Sequence, residues 1–134
     1  MPYTLINKKL DLKKEIIAAS YKDLIQKSLI KTMEEMKAEI DRGNKKTQRS
    51  IEVSADKKSE LLITFLNECI LFAKAHKEKY YKIQIEELSD TKIKGILKGH
   101  KVGEFDKEIH SVAYENLLQE YADDSYEVEL VYEE

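Results

Sequence analysis

The chain has 134 residues, 42% of them hydrophobic and 37% charged, with net charge −3 and a pI near 5.7. That length and balance predict a single globular domain, residues 1–134, able to bury its own core, and they exclude a disordered chain. An acidic pI disfavours autonomous nucleic-acid binding, which calls for a basic face.

Cys69 stands alone, so no internal disulfide forms, and one cysteine with His76, His100 and His110 offers no zinc cluster. Its apolar helical surroundings predict an inert buried thiol. No stretch approaches the ~20 apolar residues of a membrane span. MPYTLINKKL lacks the apolar run of a signal peptide, so the expected setting is cytoplasmic, with no membrane partner.

In chain order, residues 3–6 (YTLI) read as a short strand, followed by the lysine-rich connection NKKLDLKK and a second strand at 15–19. Ser20 caps a helix, and Asp23 suits both a reciprocal cap and the positive helix end. Ile25, Leu29, Met33, Met36 and Ile40 recur at helical spacing, predicting about six turns closed by Gly43-Asn44. TQRSIEVS reads as a third strand. Ser54 or Asp56 then caps a second helix whose apolar face (Leu61, Leu62, Phe65, Leu66, Cys69, Ile70, Ala73) is wider than a stripe, so it should be the more buried helix.

Two strands follow, 80–88 and 91–99, around a turn at Ser89-Asp90, with Tyr81, Ile83 and Ile85 expected on one face. A loop through His100 leads to KEIHSVAYENL, a strand at 107–117. Asp123-Asp124-Ser125 makes a hairpin turn into a final half-buried strand, SYEVELVYEE. Two helices against a largely antiparallel sheet is an α+β architecture.

No strong catalytic motif appears: there is no phosphate loop, no GxSxG and no HExxH. Gly95, Gly99 and Gly103 are evenly spaced, but strand bends and turns account for them better than a phosphate cradle. Glu133-Glu134 ends the chain in oxygen donors that suit a hard cation, although a solvated acidic tail is the plainer reading. His110 and Glu115 could be imagined as an acid/base couple. An odd separation along a strand puts them on opposite faces unless a bulge intervenes.

Taken together, these segments resemble the archease family, small proteins that assist the RNA ligase of tRNA splicing. YTLINKKLDL is similar to the family's first strand and its His-Thr-Ala-Asp motif, with KKLD at that place. SYKDLIQKSLIKTMEEM and LLITFLNECILFA resemble its two helices, KGHKVGEFDKE its Gly-Glu and Phe-Asp loop, and SYEVELVYEE its final strand.

The resemblance implies an archease-like α+β fold and a non-enzymatic, chaperone-like activator that promotes guanylylation and turnover of a tRNA-splicing RNA ligase, touching RNA only through that partner. It further implies a divalent-cation site, calcium in character, at Asp11, Glu133 and Glu134. Glu133 replaces an aspartate, so its oxygens reach one methylene further, and three carboxylates leave most calcium positions to water or backbone, so the site should be weak. Partner-contact positions carried over from the family signature are Lys8, His110, Tyr114 and Glu115. Tyr114 is retained; Lys8 and Glu115 replace histidines and His110 replaces a lysine. A divergent module that kept the fold and lost metal and ligase functions is the alternative.

Overall fold

The computed structural model describes residues 11–40, 45–105, 109 and 111–133, without the side chains of 11–13, 38–40 and 114–118. Its elements are β1 (Asp11–Ala18), α1 (Tyr21–Met36), β2 (Ala38–Ile40), β3 (Lys46–Ser54), α2 (Lys58–His76), β4 (Glu78–Leu88), β5 (Lys92–Phe105), β6 (Ser111–Glu120) and β7 (Tyr126–Glu133). All pairings are antiparallel, but they form two sheets rather than one: β1-β7-β6, and a second in which β5 pairs with β2, β3 and β4. The strand expected at 3–6 lies outside the described residues.

Ser20 starts α1 as expected: its Oγ accepts from Asp23 N at 3.0 Å, while Asp23 Oδ2 accepts from Ala19 N at 3.1 Å. The stripe Ile25, Leu29, Met33 and Met36 is buried, joined by Leu24, Ser28 and Thr32. The helix stops earlier than the spacing predicts. Lys37 takes the left-handed conformation (φ 49°) and ends it, and Ile40 pairs with Val102 in β2. A non-glycine residue in that conformation costs about 1 kcal/mol, so nothing in the sequence marks the stop. The predicted cap Gly43-Asn44 lies outside the described residues.

The second helix is the more apolar one, with Leu61, Leu62, Phe65, Leu66, Cys69, Ile70 and Ala73 all inaccessible. Each large side chain there contributes about 1.5–3 kcal/mol relative to exposure. Its N-cap is Lys57, with no side-chain cap bond, not Ser54 or Asp56. His76 ends it, as expected, near the helix's negative pole. Among the described residues no helix is long and apolar enough to cross a membrane.

Each helix is tied to a sheet edge by one side-chain amide. Asn67 Nδ2 donates to Val112 O (3.1 Å) and its Oδ1 accepts from Val112 N (2.8 Å). Gln26 does the same to β4, donating to Tyr81 O and accepting from Ile83 N, both at 3.0 Å. A primary amide carries one acceptor and one donor side by side, so it stands in for a neighbouring strand and satisfies an otherwise open edge.

In the second sheet β4 is bulged twice, between Tyr80 and Lys82 and between Ile85 and Glu87. The first bulge overturns the expected alternation: Tyr80 is buried and Tyr81 turns outward. Gly99 and Gly95 face these two bulges on β5. A Cβ at Gly99 would lie 2.2 Å from Lys79 O, and one at Gly95 2.3 Å from Gln84 O. Strand β5 also runs on to Phe105, so His100 and Gly103 lie in a strand rather than a loop. Because the obstacles are backbone carbonyls, Gly99→Ala should destabilise the fold by about 1–3 kcal/mol in equilibrium urea unfolding. An exposed control such as Gln48→Ala should stay within about 0.5 kcal/mol.

Candidate metal and partner site

Strand β7 lies between β1 and β6, and its alternation sets two faces. Tyr126, Val128, Leu130 and Tyr132 turn into the core, where Tyr132 Oη shares a 3.0 Å hydrogen bond with Thr32 Oγ1. Residues 127, 129, 131 and 133 hold the opposite face. Register then places Asp11 of β1 and Ser111 of β6 on either side of Glu133, and Glu15 and Asn116 on either side of Glu129.

Directly opposed residues in an antiparallel pair share a face, with Cβ atoms about 4.5–5.5 Å apart. Positions 11 and 133, the two predicted cation ligands whose strands are described, are therefore neighbours. Like charges so opposed cost stability unless a cation or proton intervenes. Glu134, the third, lies outside the described residues. Among the described residues no cluster of three or more metal-ligating side chains is formed.

The partner-contact positions divide similarly. Lys8 and His110 lie outside the described residues. Tyr114 sits on β6 opposite Leu130, and the register slips between Tyr114 and Asn116, so Glu115 falls in a bulge. Strand parity therefore fails at position 115 and no longer separates it from 110. Beside this stretch a shallow cleft of about 370 Å³ opens between α2 and β6, lined by Ala55, Glu60, Ile63, Thr64 and Ala113.

Two polar clusters are invisible to sequence spacing. Glu78, 1% exposed, accepts from Arg49 Nε (2.9 Å), Arg49 Nη2 (3.0 Å) and Tyr80 Oη (2.7 Å). Lys101 Nζ stands 3.9 Å from Glu78 Oε2, the oxygen that also accepts from Arg49 Nη2, and donates to His76 O. Burial alone would raise this carboxyl, but the Arg49 and Tyr80 hydrogen bonds outweigh it and hold it below the usual carboxylate range. With both oxygens engaged, Glu78 is a lock on the start of β4 rather than a general acid or base.

The second cluster surrounds Lys58 in the first turn of α2. Its ammonium donates to Glu120 (2.7 Å) and Tyr126 Oη (2.8 Å), and lies 5.4 Å above the Tyr21 ring. Tyr21 Oη donates to Lys58 O at 2.8 Å, and Tyr126 Oη bonds Glu120. Glu120 holds Lys58 above its ordinary range, and burial raises Tyr21. This cluster clamps α2 to the β6–β7 hairpin and to Tyr21 at the start of α1. Cys69 is buried, and burial pushes its thiol well up, in keeping with an inert role.

The Glu78 lock has a pH signature. A depressed carboxyl stabilises the fold above the unfolded carboxylate value of about 4.3, and the benefit fades as pH falls through the lower folded value. Glu78→Gln should cost about 1–3 kcal/mol at pH 7, since it replaces charge-assisted hydrogen bonds to a half-exposed Arg49 with weaker neutral ones. It should also flatten the loss of stability below pH ~4.3, measured as urea midpoints across an acid series.

The model of the Archease protein family (MTH1598/TM1083) matches residues 3–132. Among solved structures, the chain is similar to the crystal structure of an archease, possible chaperone, from Thermotoga maritima: TM-score 0.66, 16% identity, covering 92% of this chain and 90% of that one. It is also similar to the solution structure of protein 1598 of Methanobacterium thermoautotrophicum: TM-score 0.64, 14% identity, covering 93% of each chain. No curated protein matches in sequence. Identities this low speak to the fold, while the family match spans nearly every residue: the chain belongs to the archease family.

Proposed function

We propose that this protein is a non-catalytic activator of a tRNA-splicing RNA ligase, promoting its guanylylation and turnover. Family membership over residues 3–132 is the observation that carries the reading. The contacts carried by this reading are Tyr114 and Glu115, at the register slip of β6, with Lys8 and His110. The apolar cleft beside Ala113 offers this stretch a place to seat a partner side chain.

A divalent cation, calcium in character, belongs to the same reading, held by Asp11, Glu133 and Glu134. What supports it is the opposition of positions 11 and 133 across β1 and β7, two hard oxygen donors whose mutual repulsion a cation would relieve. The cation's role would be to fix the end of β7 against its neighbours, steadying the adjoining start of β6.

The second reading, an archease-fold module that has lost metal and ligase functions, draws on the replacements at Lys8, His110 and Glu115. Guanylylation kinetics of the host's own RNA ligase separate the two. Activation predicts a higher rate and multiple turnover when the protein is added. Tyr114→Ala should weaken the half-maximal concentration roughly 5- to 30-fold, as loss of an interface aromatic does, with a thermal melt separating that effect from lost packing opposite Leu130. An unchanged ligase rate would leave the divergent module as the answer.

A further inference from the structure

The outer face of the second sheet is basic. Its register forms rows across β3, β5 and β4: Lys46–His100–Lys79, then Gln48–Lys98–Lys82, then Ser50–Ile96–Gln84. Only at the far end do Glu52 and Glu87 appear, and they pair with Lys92 at 3.5 and 3.4 Å. Among the described residues, Lys46, Lys79, Lys82 and Lys98 have no carboxylate in ion-pair reach. Lys82 and Lys98 directly oppose each other, a like-charge cost that a bound anion would offset.

An aromatic platform adjoins these lysines. The first bulge of β4 turns Tyr81 outward, 46% exposed, and its ring stacks over His100 at 6.1 Å and 26°. Half-buried Ile96 continues the surface in the third row. Uncompensated cations beside an exposed stacked ring are what a polyanion with planar bases requires. An acidic protein surface would use the lysines and leave the ring idle, and a duplex would keep its bases away from it.

We propose that this face docks single-stranded RNA, with Lys46, Lys79, Lys82 and Lys98 holding phosphates and the Tyr81–His100 stack receiving a base. The platform stands on its own geometry; the choice of RNA over DNA rests on the ligase reading. The overall acidic charge conceals it because the carboxylates concentrate elsewhere, on the outer face of the first sheet among other places.

Fluorescence anisotropy with a labelled single-stranded RNA of roughly 15 nucleotides, no ligase present, tests it. Binding should weaken with salt at a log–log slope near −3, about −0.7 for each of about four phosphates. The triple variant K79E/K82E/K98E should lose at least about tenfold in affinity. Tyr81→Ala should lose roughly fivefold or more for RNA while leaving inorganic polyphosphate binding unchanged. Circular-dichroism melts confirm that each variant folds. The proposal is overturned by absence of binding at low salt, or by an equal loss from K22E/K27E/K31E on α1. It is also overturned if polyglutamate competes as well as RNA while Tyr81→Ala is silent, which identifies an acidic protein as the occupant, or if single-stranded DNA binds more tightly than RNA. Because the ligase is absent, failure here leaves the guanylylation result standing, and the reverse.

Discussion

The candidate site depends on one register, that of β7 against its two neighbours. Its inward residues, Tyr126 to Tyr132 in alternation, are fixed by burial, and a one-residue slip would carry all of them to the wet face. Since that slip is prohibited, the outward row is fixed too, and positions 11, 133 and 111 fall in one row across three strands. The apolar core thus determines where the carboxylates lie, although none of them contributes to it.

Side chains of the helices tie both sheets in place. Asn67 grips the open edge of β6 at Val112, the residue beside Tyr132, and Gln26 grips β4 across its bulge. Lys58 adds a charged clamp from the first turn of α2 to Glu120 and Tyr126, at the two sides of the β6–β7 hairpin. The half-buried bonds among these, from Asn67, from Gln26 to Ile83 N and from Lys58 to Tyr126, specify one arrangement, since each partner left unpaired would carry a desolvation cost. The Glu78 and Lys58 clusters spend their polar atoms on one another and on the backbone, tying elements together.

Much of this was legible in the chain. The α1 stripe, the broad apolar face of α2, the buried Cys69, the Asp123–Ser125 turn and the alternation of β7 all follow from periodicity and cap chemistry. The failures share a cause, which is local geometry without a sequence mark. Lys37 ends α1 in a conformation usually given to glycine, so Ile40 reads as a further helical turn when it is in β2. Bulges at Tyr81 and around Glu115 reverse parity, sending Tyr80 rather than Tyr81 inward and removing the parity argument at 115. The basic face was hidden because its lysines are spread over three strands, every second residue, and converge only through pairing. The likeness of LLITFLNECILFA to the family helix gains a physical content in Asn67, whose amide holds β6.

The two sheets differ in outer-face character: Glu15, Glu129 and Glu133 lie on one, and on the other Lys46, Lys79, Lys82 and Lys98 have no ion-pair partner among the described residues. The measurement closest to the central claim is isothermal calcium titration of the purified protein and of its Asp11→Ala variant. One calcium per chain, with binding lost or weakened by at least about tenfold in the variant, is the result this account predicts. Absence of binding to the parent protein, or an affinity indifferent to Asp11, would contradict it.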